Sequence, residues 1–186
     1  MRGVGATQPK LTYADLERMP DDGKRYELYD GELRVVPAPI PLHQLVALRL
    51  SEALGRHVRN GGGLLLFSPI DIVFAEDTVL EPDLLLFRPE RRHLVPLRSV
   101  IRHPPDLVVE ILSPSTARHD RTRKMAVYAR FRVPEYWIVD PDARRAEVHA
   151  LREGRYERHA TAGPSGVVQS ATLEGLRCDV GTLWSD

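Results

Sequence analysis

In the segment Asp106-Leu107-Val108-Val109-Glu110-Ile111-Leu112, an acid, Glu110, sits inside the apolar run 107–112. Read as a strand, it puts Asp106, Val108, Glu110 and Leu112 on one face and Leu107, Val109 and Ile111 on the other. Both faces are apolar, so the strand belongs in the middle of a sheet covered on both sides. An ionised carboxylate is excluded from such a place unless a cation, a set of donors or a raised pKa accompanies it. Glu110 is therefore the first candidate for chemistry.

A partner acid is sought next. Pro82-Asp83 opens a second apolar strand, Leu84-Leu85-Leu86-Phe87, and Pro105-Asp106 repeats the pair. Asp106 lies four residues from Glu110 in one strand, a separation of about 13 Å, too far for one metal ion. Asp83 is on a different strand, and neighbouring strands lie only about 4.8 Å apart, so Asp83 and Glu110 can converge. Lys10, Lys24 and Lys124 are the only lysines. Lys124 falls near the start of a helix that returns after Glu110, where its ammonium can fold back over the strand end.

Two carboxylates without a cysteine or histidine cluster select a hard ion, magnesium first and manganese as its substitute, completed by waters and substrate phosphate oxygens. Such an ion polarises a phosphate and acidifies an attacking water, and Lys124 can orient that water or stabilise the developing charge. The expected set is thus Asp83 and Glu110 as metal ligands, with Lys124 completing the catalytic group. Glu27 is an auxiliary candidate ligand and His43 an auxiliary base or phosphate contact. Each has a plainer alternative: a turn acid for Asp83, a structural ion pair for Glu110, a solvated charge for Lys124, a cross-strand pair for Glu27 and a capping or surface histidine for His43. Tyr128, one turn beyond Lys124, reads first as core.

Working outward, Thr12 to Asp15 reads as a capped short helix ended by Met19-Pro20, and Arg25 to Val36 as two alternating runs about Asp30-Gly31, a hairpin. Leu42 to Arg59 keeps helical spacing and stops at Asn60-Gly61-Gly62-Gly63. Strands are expected at Leu64–Phe74, Asp83–Phe87 and Asp106–Leu112, then a helix capped by Asp120 and running to Phe131. Strands at Glu135–Asp140, Arg145–Leu151 and Arg155–His159 follow, with an irregular β-like tail. The order predicts an α+β domain around a mixed central sheet flanked by helices, with an N-terminal hairpin and C-terminal strands.

The 186 residues suit a single domain over 1–186, with residues 1–10 expected to be loose. The 26 basic and 26 acidic side chains balance, which argues mildly against a constitutive nucleic-acid binder, although the basic groups are nearly all arginine, suited to phosphate pairing. Cys178 is alone, which excludes an internal disulfide and a cysteine-based zinc cluster and fits a reducing compartment. Residues 1–9 lack the apolar stretch of a signal peptide, and no run reaches membrane-spanning length. The expectation is a cytoplasmic protein without a membrane partner. Gly163-Pro164-Ser165-Gly166 lacks the setting of a serine hydrolase, and Gly61-Gly62-Gly63 ends a helix where a phosphate loop would open one.

Pro82-Asp83 followed by Glu110-Ile111-Leu112 resembles the Asp and Glu-x-Lys core of the PD-(D/E)XK nuclease superfamily, with Leu112 in the lysine position and Lys124 as a migrated substitute. The segments 26–33, 81–84, 106–116 and 133–141 resemble the Uma2 family of restriction-endonuclease-like proteins, over most of the chain. The resemblance implies a restriction-endonuclease-like core with the long helix packed on a mixed sheet, a magnesium site at Asp83 and Glu110, and Lys124 supplied from the following helix. The expected activity is magnesium-dependent hydrolysis of phosphodiester bonds in nucleic acid, DNA in particular, by a metal-associated water. A homodimer is expected because cutting two strands commonly needs two sites. The rival is a non-catalytic nucleic-acid or protein-binding module on the same scaffold, favoured by the balanced charge and by Leu112.

Overall fold

The computed structural model describes residues 10–184. The expectation of a loose start falls, for residues 1–9, outside the described residues. The architecture is α+β, with a six-stranded mixed sheet at its centre and a four-stranded antiparallel sheet against it.

The smaller sheet contains the hairpin β1 (Arg25–Tyr29) and β2 (Glu32–Val36) together with β4 (Ile72–Ala75) and β5 (Thr78–Leu80), in the order β2-β1-β5-β4. The hairpin turns at Asp30 and Gly31, both at positive φ (53° and 83°), the conformation that an Asp-Gly pair adopts at low cost in a two-residue turn. Between the hairpin and β4 come helix α2 (Pro41–Gly61) and β3 (Leu64–Phe67). Gly62, left-handed at φ 78°, ends α2 as the glycine run predicts.

The larger sheet adds β6 (Leu84–Phe87), β7 (Leu107–Ile111), β8 (Glu135–Asp140), β9 (Arg145–Arg152) and β10 (Arg155–Ala162), in the order β10-β9-β8-β7-β6-β3. β7 and β8 run parallel and the other neighbours antiparallel. A parallel pair requires a crossover connection, here a helical segment of α3 (Ala117–His119), a π-helical turn (Asp120–Lys124) and α4 (Met125–Arg130). That crossover carries Lys124 back over β7.

Both faces of β7 are covered. On one, Val46, Leu50, Leu54 and Val58 of α2 pack on Leu84, Leu107, Val109, Ile111 and Trp137. On the other, Val108, Leu112 and Ile138 meet Val127 and Tyr128 of α4 and Tyr29 and Leu80 of the smaller sheet. The sites of Asp83 and Glu110 are therefore wedged between a helix and a second sheet.

Three expectations are corrected. The run Leu64–Phe74 is two strands, β3 in the larger sheet and β4 in the smaller. Pro69 lacks the N–H a ladder needs and charged Asp71 follows it, so the chain changes sheets there. Asp120 is not a helix cap: helical winding begins at Ala117, and Asp120 is 3 % exposed inside the π turn. The tail contains a regular pair, β11 (Val167–Gln169) and β12 (Arg177–Asp179), too short for alternation to reveal. It is fastened to β8 by Glu135, whose Oε2 accepts hydrogen bonds from Ser170 Oγ and from the Thr172 backbone and hydroxyl.

Candidate functional site

Leu84 of β6 pairs with Val109 of β7, which brings Asp83, one residue before Leu84, beside Glu110, one residue after Val109. Asp83 Oδ2 accepts the Ile111 backbone N–H at 2.7 Å and lies 3.2 Å from His43 Nε2, in the first turn of α2. This end of the sheet thus gathers Asp83, Glu110 and His43 from three elements.

Glu110 is held from the crossover. Lys124 Nζ donates to both Glu110 oxygens at 3.0 Å, and Tyr128 Oη donates to Glu110 Oε1 at 2.6 Å. Lys124 and Tyr128 are one helical turn apart, so one face of the crossover delivers both. The π turn widens the helix at Lys124, a distortion frequently found at functional sites. Lys124 Nζ also lies 3.0 Å from Glu27 Oε1, and Glu27 further accepts the Glu81 backbone N–H at 3.0 Å and the Tyr29 hydroxyl at 2.7 Å. Glu27 therefore has both oxygens occupied by protein donors. Asp106 stands apart, tied to Arg91 Nη1 and the Arg88 backbone N–H, both at 2.9 Å.

The charges are crowded in a dry place. Burial pushes the Glu110 carboxyl well up; Lys124 opposes the shift, and Asp83 and Asp120 reinforce it. Burial by itself would lower the Lys124 ammonium, but Glu110 and Glu27 outweigh it and hold the group protonated, well above its ordinary value. Burial likewise raises Asp120, again against Lys124. Several carboxylates thus share one lysine.

Asp83, Glu110, Asp120 and Lys124 line one cleft of about 190 Å³, together with His43 and the loop residues 113–116. Carboxylates that burial alone makes unfavourable are a place where a divalent cation lowers the energy. Asp83 and Glu110 are the two carboxylates that would hold a magnesium or manganese ion here, and Asp120 adds negative charge to the same cleft. Among the described residues no group of three His, Cys, Asp or Glu side chains forms a cage for a metal.

Asp120, Glu81, Arg25 and Tyr29 join the site without having been singled out from the sequence. Arg25 Nη1 and Ser68 Oγ both donate to Glu81 Oε1 at 2.9 Å, closing the cleft on the side of the smaller sheet. Asp120 carried a signal: it stands four residues before Lys124, on the same helical face. Glu81 follows the three-residue β5, too short to show a period, and Arg25 reads from the sequence only as the start of the hairpin.

Comparison with known proteins follows the same lines. The Uma2 family model, described as "Putative restriction endonuclease", matches residues 13–181. No curated protein matches the chain. Among solved structures, one described as a "putative nuclease belonging to DUF820" from Anabaena variabilis ATCC 29413 superposes with a TM-score of 0.75, at 18 % identity, over 93 % of this chain and 97 % of that one. At that identity the likeness shows the shared fold. With the family match spanning nearly all of the described chain, the protein belongs to the Uma2 family of restriction-endonuclease-like proteins.

Proposed function

We propose that the protein is a nuclease that hydrolyses phosphodiester bonds in nucleic acid, DNA in particular, using magnesium or manganese held by Asp83 and Glu110. The observation that carries this reading is the cleft itself: two carboxylates from adjacent strands and a buried lysine from the crossover open onto one cavity. The bound ion would polarise the phosphate and supply an acidified water.

The chain's own residues divide the remaining work. The Ile111 N–H and His43 fix the Asp83 carboxylate, and Tyr128 fixes Glu110. Lys124, kept protonated by Glu110 and Glu27, supplies the positive charge that meets negative charge developing on the phosphate oxygens. Glu27 acts as a positioning residue for Lys124, whose ammonium it meets at 3.0 Å beside Glu110. His43 is placed to contact a phosphate oxygen or take a proton at the mouth of the cleft. One cleft per chain fits a homodimer for cutting both strands, in a reducing, cytoplasmic setting.

One observation favours the non-catalytic rival: Lys124 engages both oxygens of Glu110, so the pair can stand as a structural ion core. Incubation with labelled duplex and single-stranded DNA, with magnesium or with chelator, separates the readings. Magnesium-dependent cleavage lost in Asp83→Ala, Glu110→Gln and Lys124→Met supports the nuclease. Cleavage unchanged in Asp83→Ala or Glu110→Gln rejects the site, and no cleavage with any substrate supports the rival.

A further inference from the structure

A second cavity, of about 170 Å³, adjoins the cleft and shares Arg25, Pro39, His43 and Asp83 with it. Its remaining wall carries two exposed apolar side chains. Phe67, at the end of β3, is 64 % exposed and Leu48 of α2 is 56 % exposed, an unusual placement for two large apolar side chains beside a polar centre. Ala47 adds a small apolar surface, and Gln44 adds an amide whose side chain has no partner among the described residues. Such an amide offers two donors and one acceptor. His43, in the wall between the cavities, uses Nε2 on Asp83, while its Nδ1 is buried and has no partner among the described residues.

The position of Phe67 follows from the sheet. Phe67 pairs with Leu84, and the Ser68 N–H donates to the Asp83 carbonyl at 2.9 Å, so the aromatic ring belongs to the residue next to the one that faces Asp83. An apolar slot with a few convergent polar groups is the usual form of a small-ligand pocket. A nucleotide carries a planar aromatic base one sugar away from its phosphate, which matches two adjoining cavities, the first lined by Glu110, Asp120 and Lys124 and the second by Phe67, Leu48 and the Gln44 amide.

We propose that this second cavity seats one unpaired nucleobase of the substrate, stacked on Phe67 and Leu48 and hydrogen-bonded by Gln44, while the adjoining phosphate lies at the cleft. The proposal rests on the nuclease reading and assigns its substrate class: single-stranded nucleic acid, or a duplex in which a base is already unpaired. A base inside a duplex is stacked on both faces and cannot enter the slot.

The test uses oligonucleotides carrying 2-aminopurine, in chelator so that neither metal nor cleavage contributes. The wild-type protein should change the probe's fluorescence in a single strand, and not at an internal position of a perfect duplex. Phe67→Ala should weaken single-strand binding about tenfold, the scale of losing one base–aromatic stack. Gln44→Ala should weaken it less, and Val35→Ala, at an exposed residue away from the pocket, should leave it unchanged. Circular dichroism checks that the variants fold, which the exposure of Phe67 favours. Wild-type affinity in Phe67→Ala, no response to the single strand, or an equal response in the duplex overturns the pocket. The outcomes also separate the two readings. A Phe67-dependent response in a protein that never cleaves keeps the pocket and removes the nuclease. Cleavage sensitive to Glu110→Gln but indifferent to Phe67→Ala keeps the nuclease and removes the pocket.

Discussion

Lys124 and Glu110, fourteen residues apart, form a buried pair in which the ammonium meets both carboxylate oxygens at 3.0 Å, with Glu27 Oε1 as a third acceptor at the same distance. Removing one member of such a pair strands the other charge, at a cost of about 3–5 kcal/mol. Lys124→Met should lose stability on that scale at alkaline pH. The sign of the pH dependence follows from Glu110, whose folded pKa is raised by burial and rises further without Lys124. Below the ordinary carboxylate range Glu110 is neutral folded or unfolded and the penalty is small; it grows as pH rises through the folded value. Urea unfolding at pH 4 and pH 9 should show the larger deficit at pH 9, and an equal deficit contradicts the assignment.

Asp71 has its carboxyl pushed up to about 6 by burial, with Glu81 and Glu27 adding to the shift. A raised folded pKa favours the fold below the unfolded value and withdraws that stability as pH rises through about 6. Asp71→Asn should therefore match wild type near pH 3.5 and exceed it above pH 7 by at most about 3 kcal/mol. A constant difference across that range would falsify the electrostatic account.

Glu135 is fully buried and accepts hydrogen bonds from Trp137 Nε1, Ser170 and Thr172, anchoring the β11–β12 segment to the sheet. It lies outside the cleft. Glu135→Ala leaves several buried donors unsatisfied and should cost about 3 kcal/mol. Its cleavage rate per folded molecule should stay at the wild-type level, which separates this buried acid from Glu110.

Cys178 is buried, and burial raises its thiol to about 12. The reactive thiolate is then scarce at neutral pH. Native protein should react with an aromatic disulfide reagent only at its unfolding rate, and urea-unfolded protein within seconds to minutes. Fast labelling of the native state contradicts this burial.

The sequence showed the centre of the fold better than its rim. The apolar run 107–112 and the one acid inside it located β7 and Glu110 because burial on both faces leaves a continuous apolar record. Inter-strand spacing then distinguished Asp83 from Asp106, and the structure brings Asp83 to Glu110 while giving Asp106 to two arginines. The division of 64–74 between two sheets depends on tertiary partners, and β5, β11 and β12 are too short for a period to emerge. Asp120 was misread because a cap and a buried acid in a widened helix use the same residue type. The second cavity, made by Phe67 and α2 residues far apart in sequence, leaves no local pattern.

Calorimetric titration of magnesium and manganese into metal-free protein tests the central claim most directly. The wild type should bind with measurable heat, and Asp83→Ala and Glu110→Gln should each abolish the signal while keeping wild-type circular dichroism. Binding heat that persists in both variants, or none in the wild type with and without a DNA strand, contradicts a metal site at these two carboxylates.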